Sequence, residues 1–159
     1  MERSFYSLVE CYKFDHLFLA ERASPNPSFK RDCRKARQPL NLTICSKREL
    51  TLHVVIDLQK IKDWESFHEV FAEAMGFPGF YGENMNAWID CMSYINEPEA
   101  GMSCITVKSG EILELELRGM RQFGEQFPEI LCELVLCSGF VNERFIRSSS
   151  NTRISLIAT

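Results

Sequence analysis

A run of mainly apolar residues at positions 52–58, Leu-His-Val-Val-Ile-Asp-Leu, constrains the fold of this chain more than any other feature. Its near-continuous apolar character predicts a buried strand of the parallel type, covered on both faces. A helix is predicted next, beginning after Asp63 as its capping residue and ending at Gly76. Its apolar stripe is Trp64, Phe67, Val70, Phe71, Ala74 and Met75. The first predicted unit is therefore a strand followed by a helix.

Further elements alternate along the rest of the chain. Residues 102–107 predict a second strand, and the Leu-Glu-Leu-Glu-Leu alternation within residues 112–117 predicts a half-exposed strand or an extended edge. Pro128 suits the first turn of a long helix reaching Arg144, and residues 154–158 predict a final strand. This alternation favours an α/β fold: a small parallel sheet of about three strands, with room for an extra edge strand, packed with helices.

The chain divides by charge and composition. Its 159 residues suffice for one ordinary domain. Residues 1–50 hold 10 Lys and Arg against 6 Asp and Glu, whereas residues 51–159 hold the remaining 8 against 16. Prolines and a basic cluster replace apolar periodicity at positions 24–39, a composition typical of linkers. Residues 1–47 are therefore predicted to be an N-terminal extension, poorly ordered or forming a docking helix, and residues 48–159 the folded domain.

Charge, cysteine spacing and hydropathy argue against several functional classes. The net charge of −4 disfavours direct binding to nucleic acid, because phosphate contacts need a cationic face. The seven cysteines include no Cys-x-x-Cys pair and no zinc-type histidine spacing, so we expect mostly free thiols, no metal and no cofactor. No apolar run approaches the roughly 18 residues of a membrane span, and no N-terminal signal is apparent. These features predict a cytoplasmic protein without a membrane partner.

The segment 80–97 is the strongest candidate for a functional surface. At about 100° per residue, its predicted helix separates a core side from a polar side. The core side holds Asn84, Trp88, Cys91, Met92 and Ile95, and the polar side holds Asn86, Asp90, Ser93 and Glu97. Met85 and Ile89 fall between them, where an exposed hydrophobic rim serves a partner or internal packing equally well. The spacing alone leaves open a plain amphipathic helix with a solvated face.

The residues Phe80-Tyr81-Gly82-Glu83-Asn84, together with Ala87 and Asp90-Cys91, resemble the signature segment of the barstar-like family. Members of that family are intracellular inhibitors of a secreted ribonuclease, and the order of predicted elements from residue 52 onward is similar. The resemblance implies a barstar-like fold and a protein that is not an enzyme. It also implies a loop and helix that occlude the active site of a basic ribonuclease or related toxin.

The same resemblance implies a role for one carboxylate. Asp90 would sit among the cationic residues of the enzyme, in the place of a substrate phosphate. A carboxylate on a rigid helix suits this role, because it can be desolvated against Arg and Lys donors with little loss of side-chain entropy.

The family's partner contacts carry over to a defined set of positions in this sequence. The implied contacts are Phe80, Gly82, Asn84, Met85, Asn86, Ile89, Asp90 and, from the late helix, Glu143. The resemblance also implies that Asn84 orders the turn, whereas the contact from the late helix falls at Asn142 or Glu143.

This sequence departs from the family pattern at three of these contacts. Asn86 replaces a second aspartate, Phe80 replaces a tyrosine, and Ile89 stands where a tryptophan is usual. These departures predict a partner surface different from that of barnase itself, and we expect the free protein to be a monomer.

Two other functions stay open. The same fold could serve as a protein-interaction module with a non-nuclease partner, which the loss of the second carboxylate and of the tyrosine hydroxyl favours. An enzyme is the other alternative, since His53, His68 and Cys91 are residue types used in nucleophilic catalysis. Nothing in the sequence brings those three together, and we predict that His53 and Cys91 are core residues.

Overall fold

The computed structural model of the protein describes residues 41–44 and 50–159, with side chains from residue 51 onward. Its strands are β1 (Asn41–Ile44), β2 (Leu50–Asp57), β3 (Ile112–Arg118) and β4 (Arg153–Ala158). Its helices are α1 (Trp64–Met75), α2 (Met85–Ser93), α3 (Met120–Gln126) and α4 (Pro128–Arg147). Short 3-10 helices at Leu58–Lys60 and Pro98–Ala100 follow β2 and α2.

The four strands form one sheet in the order β1-β2-β3-β4. β2, β3 and β4 run parallel, with Val54 opposite Leu115 and Leu115 opposite Leu156, whereas β1 pairs antiparallel with β2. The parallel strands and the helices confirm the predicted α/β fold. β1 falls within the predicted extension 1–47, so four of those residues join the sheet. The rest of that prediction, including its boundary, lies outside the described residues.

The sheet is buried on one face. Leu52, Val54 and Ile56 of β2 point into the core, as do Leu113, Leu115 and Leu117 of β3. The other face of β2 is only half-buried, so the expectation that this strand is covered on both faces is wrong. β3 shows the predicted alternation, yet it is an interior strand with a neighbour on each side rather than an extended edge.

Local sequence signals begin and end α1 and begin α4 where we expect them, whereas α3 has no side-chain cap and is not predicted. The Oδ1 of Asp63 accepts a hydrogen bond from the N–H of Ser66 (2.8 Å), and the Oγ of Ser66 accepts one from the N–H of Asp63 (3.1 Å). This reciprocal capping box begins α1. Gly76 ends it with a φ of 65°, and a Cβ at that position would lie 2.6 Å from the Cβ of Cys104. Glycine is therefore required there by both backbone conformation and space. Pro128 is the first residue of α4, as predicted.

Residues 102–107 form no strand, which corrects the sequence prediction. The N–H of Cys104 donates to the carbonyl of Gly76 (3.0 Å), and the N–H of Val107 donates to the carbonyl of Ile95 (2.9 Å). These bonds satisfy the backbone at the ends of α1 and α2 rather than along a neighbouring strand. Alternate residues of this connection are buried, so its alternating pattern reflects burial without a sheet.

The core holds α2 against α1 and α4. Trp88 of α2 and Phe67 and Phe71 of α1 are fully buried. The rings of Phe71 and Trp88 meet edge to face, with their centroids 5.7 Å apart. None of the helices within residues 50–159 combines the length and the apolar character that a membrane crossing needs.

The cysteines of the described region differ in state. Cys91 and Cys132 are free thiols, whereas Cys104 is disulfide-bonded. Disulfides are rare in reducing compartments, so the predicted cytoplasmic location stays a prediction. Among the residues that the structure describes, no group of His, Cys, Asp and Glu side chains could hold a metal ion.

Candidate partner-binding surface

The loop that leads into α2 presents one aromatic ring to solvent and buries the next. Phe80 is 67% exposed. Tyr81 is half-buried, its ring centroid lies 4.8 Å from that of Phe77, and its N–H donates to the carbonyl of Pro78 (2.9 Å). The turn at Pro78 therefore directs Tyr81 inward and leaves Phe80 at the surface, where it is available to a partner.

A buried histidine anchors this loop to α1. The Nδ1 of His68 and the hydroxyl of Tyr81 are hydrogen-bonded at 2.5 Å, and Trp64 stacks on the imidazole at a centroid distance of 6.3 Å. Burial lowers the pKa of His68, an effect that the Glu83 carboxylate partly opposes. Burial also raises the pKa of the Tyr81 hydroxyl, which keeps its proton. His68 is thus a neutral structural side chain that fixes the loop.

We expect the stability of the protein to fall as the pH is lowered from neutral, and His68 to account for part of this fall. The pKa of His68 in the folded chain lies below its unfolded value of about 6.5. The unfolded chain therefore binds a proton that the folded chain does not, and stability present above that unfolded pKa is lost as the pH falls toward the folded pKa.

The measurement is the free energy of unfolding in urea, determined from pH 7.5 down to pH 5 at about half-unit steps. In His68→Phe the decline should be shallower than in the wild type, because the other two histidines remain in both proteins and their contributions cancel. Equal slopes for the two proteins would show that His68 does not couple folding to pH.

The corner between loop and helix is ordered by Asn84. Its Oδ1 accepts a hydrogen bond from the N–H of Ala87 (3.0 Å), and its Nδ2 donates to the carbonyl of Gly82 (2.8 Å). Asn84 is thus the capping residue of α2, and it ties the helix to the loop before it. Glu83, between them, has a φ of 49°, a left-handed conformation that the two flanking bonds hold in place. The expected role of Asn84 in ordering this turn matches its position, although its contact with a partner stays a prediction.

Asn84→Ala should lower the free energy of unfolding by about 1 kcal/mol, within a range of roughly 0.5–2 kcal/mol, because α2 loses its capping acceptor. Asn86→Ala is the matched control, since Asn86 is an exposed residue two positions further along and does not cap the helix. Its effect should stay within about 0.5 kcal/mol. Chemical denaturation of both variants tests the role of Asn84 as a cap, and equal effects would contradict it.

α2 has one face in the core and one in solvent. Trp88, Ile89, Cys91 and Met92 are buried, whereas Asn86 and Asp90, one turn apart, are exposed. The predicted core set is therefore correct for this helix except at Asn84, which is exposed as the cap. Ile89 is only 8% exposed, so it is a core residue rather than a rim residue in the free protein. Met85 is half-buried and packs against the core.

The residues that raised the possibility of an enzyme have structural contacts in the folded chain. Burial raises the pKa of the Cys91 thiol to about 12, so this thiol is protonated at neutral pH. The Nε2 of His53 lies 3.0 Å from the Oε2 of Glu116, on the half-buried face of the sheet. His53 is therefore paired on that face rather than enclosed in the core as predicted, while the prediction for Cys91 is confirmed.

Asp90 points outward and has one loose neighbour. Its side chain is 59% exposed, and its Oδ1 lies 3.5 Å from the Nη1 of Arg144 on α4. A charge-assisted hydrogen bond between such groups is typically about 2.7–2.9 Å long, and exposed ion pairs contribute little to stability. Within residues 50–159, the carboxylate is therefore neither buried nor held by a short ion pair.

The residues predicted on the late helix have other partners. Asn142 accepts the N–H of Ile154 (2.7 Å) through its Oδ1 and donates to the carbonyl of the same residue (2.9 Å), which ties α4 to β4. Glu143 accepts a hydrogen bond from the Nη2 of Arg147 (2.8 Å). Asn142 is therefore structural, and a partner contact at Glu143 stays a prediction.

These positions define what we call the α2 surface: exposed Phe80 and Gly82 on the loop, and exposed Asn86 and Asp90 on the helix. Sequence reasoning missed the two features that frame it, the Tyr81–His68 anchor and Arg144 beside Asp90. The residue spacing within the segment 80–97 predicts neither contact, because one joins the loop to α1 and the other joins α2 to α4.

Comparison with known proteins addresses the identity of this fold and surface. The family described as Barstar (barnase inhibitor) matches residues 51–135, which are 85 of the 159 residues. No curated protein matches the chain. The match begins in β2 and includes α1, the loop, α2 and β3. This chain therefore belongs to the barstar family of barnase inhibitors.

Proposed function

We propose that this protein inhibits a ribonuclease or related toxin by covering the enzyme's active site with the α2 surface. The observation that carries the proposal is the exposed carboxylate of Asp90 on a helix whose opposite face is fixed in the core. Membership of a family of nuclease inhibitors supports the partner class. As part of the same proposal, the free inhibitor is a cytoplasmic monomer and has no catalytic role.

The rigidity of the surface supports inhibition by occlusion. Trp88 and Met92 bury the inner side of α2, and the Asn84 cap begins the helix. The hydrogen bond between Tyr81 and His68 holds the loop. A surface that is ordered before binding loses less conformational entropy in the complex, so more of the interaction energy appears as affinity.

Phe80 supplies an apolar contact beside the charged one. Large aromatic side chains are enriched in interface cores, and burial of one ring adds affinity that does not depend on salt. Because a phenylalanine has no hydroxyl, this contact favours an apolar pocket on the partner. The combination of Phe80 and Asp90 suits a cleft in which cationic groups lie next to an apolar wall.

The charge of the domain supports a basic partner. Residues 51–159 carry 16 acidic against 8 basic side chains. This excess attracts a basic enzyme over distances of about a Debye length, roughly 10 Å at 0.1 M salt, and raises the rate of encounter.

A second candidate is a protein-interaction module on the same fold that binds a non-nuclease protein. The observation that favours it is the reduced charge of the surface: Asp90 is the only charged residue of α2, and Arg144 lies beside it. A face with one partly compensated carboxylate is less specialised for a phosphate-binding site than a strongly acidic one would be.

Cleavage of a fluorogenic RNA by barnase and by other small basic secreted ribonucleases separates the two candidates. We expect stoichiometric protection of the RNA from at least one of these enzymes, together with a one-to-one complex in calorimetry. Full cleavage by every enzyme in excess inhibitor would contradict the nuclease proposal. If none of the enzymes is inhibited and the protein is isolated in a defined complex with another class of protein, the second candidate is supported.

A further inference from the structure

Arg144 places a positive charge beside the only charged residue of α2. Its Nη1 lies 3.5 Å from the Oδ1 of Asp90, and the two side chains are 40% and 59% exposed. Any cationic group that approaches Asp90 from solvent therefore approaches Arg144 as well. At comparable distances the repulsion from one charge offsets most of the attraction to the other.

The pair is loose enough to exchange partners. Its separation exceeds the usual length of a charge-assisted hydrogen bond by about 0.6 Å, and both groups keep contact with solvent. Arg144 is thus held near Asp90 without being locked to it. A binding partner that offers a better acceptor for Arg144 can separate the two and bind each of them.

The acidic residue next to Arg144 on α4 does not neutralise its charge. Glu143 is adjacent in sequence, but its Oε1 is engaged by the Nη2 of Arg147 at 2.8 Å. Two pairs of opposite sign therefore involve this part of α4, Asp90 with Arg144 and Glu143 with Arg147. Such a pattern complements a partner with mixed charges better than one of a single sign.

We infer that Arg144 determines the specificity of the α2 surface: it disfavours a uniformly cationic cleft and fits a partner whose cation stands next to an acidic side chain. The inference rests on the proposed function, because it assigns the chemistry of the partner at that same surface. In the complex, the single intrachain pair is replaced by two pairs across the interface. This is specificity through a built-in repulsive element.

The test uses two six-residue peptide amides as probes, one of arginine alone and one with the sequence Arg-Arg-Glu-Arg-Arg-Glu. Each is titrated into the full chain at low ionic strength while the backbone amide signals of α2 are followed by NMR. The proteins are the wild type, Arg144→Gln, and the matched control Arg153→Gln, which removes the same charge at an exposed position of β4. Asp90→Asn shows whether the α2 signals report on that carboxylate.

Arg144→Gln should tighten binding of the all-arginine peptide about tenfold, while Arg153→Gln changes it by less than about threefold. The preference for the mixed peptide over the all-arginine peptide should also fall about threefold or more in Arg144→Gln. When Asp90→Asn is combined with Arg144→Gln, this gain in affinity for the all-arginine peptide should disappear. Equal effects of the two arginine variants, or an unchanged preference, would overturn the inference. The assay contains no nuclease, so failure of the proposed function cannot produce either result.

Discussion

Asp90→Ala should raise the dissociation constant for an inhibited ribonuclease by about 30-fold or more. Truncating one member of a charge pair that is buried in an interface weakens the free energy of binding by about 2–5 kcal/mol. Each 1.4 kcal/mol corresponds to a factor of ten in the dissociation constant. Most of the loss comes from the enzyme's cations, which stay desolvated without their acceptor. The free protein should change little, because Asp90 is largely exposed and its pair with Arg144 is loose. Calorimetry with the nuclease and urea denaturation of the free variant measure the two quantities.

Glu73→Ala is the control for long-range charge, since Glu73 is an exposed acidic residue on α1. It removes the same formal charge, and its effect on the dissociation constant should stay below about threefold at physiological salt. Similar losses for the two variants would mean that the overall acidity of the domain, and not a local anchor, drives binding. An unaltered affinity in Asp90→Ala would remove this residue from the centre of the interface.

Much of the fold was predictable because its helices carry local start and stop signals. Asp63 with Ser66, Gly76 and Pro128 act within a few residues of their own positions, so the bounds of α1 and the start of α4 follow from them. The strands β2 and β4 were predictable from their own apolar residues, which are also a local signal. Topology followed from the alternation of strand and helix, which leaves few arrangements other than a parallel sheet.

The errors in the fold arise where burial is set by distant contacts. Residues 102–107 alternate in burial, as a half-exposed strand does. Their backbone N–H groups, however, donate hydrogen bonds to the ends of α1 and α2. Helix α3 was missed because it is short and contains Gly124, which weakens any helical pattern. Of the two alternatives predicted for β3, the half-exposed strand is correct and the extended edge is wrong, because its glutamates lie on the half-buried face of an interior strand.

The exposed residues of the candidate surface were predictable, whereas the contacts that hold α2 in place were less so. Asp90 and Asn86 follow from helical rotation alone. Asn84 was placed on the core side because the rotation was extended to the capping position, which does not have helical dihedral angles. Ile89 was placed at the margin, but α2 packs on α4 as well as on the core behind it, and Ile89 is buried in the folded chain. The register between α2 and α4, which sets Arg144 beside Asp90, is a tertiary property that spacing within one segment does not contain.

Trp88→Ala should have the largest effect on stability of any change considered, lowering the free energy of unfolding by about 3–5 kcal/mol. Trp88 is fully buried, and its ring packs edge to face on Phe71 of α1. The truncation leaves a cavity between α2 and α1 that the surrounding side chains fill only in part. Because α2 is anchored through this ring, nuclease binding should weaken as well, although Trp88 itself does not face the partner.

Trp88→Phe separates packing from polarity at the same position. Within the part of the chain that the structure describes, the Nε1 of Trp88 has no hydrogen-bond partner although it is buried. An unsatisfied buried donor is unfavourable by about 1–3 kcal/mol, so its removal offsets part of the volume lost in the smaller ring. We therefore expect Trp88→Phe to lower the free energy of unfolding by less than about 1.5 kcal/mol and to keep its affinity for the nuclease. If the phenylalanine variant were instead as unstable as the alanine variant, the indole N–H would have to be satisfied in solution, and the core around α2 would be held by that bond rather than by packing alone.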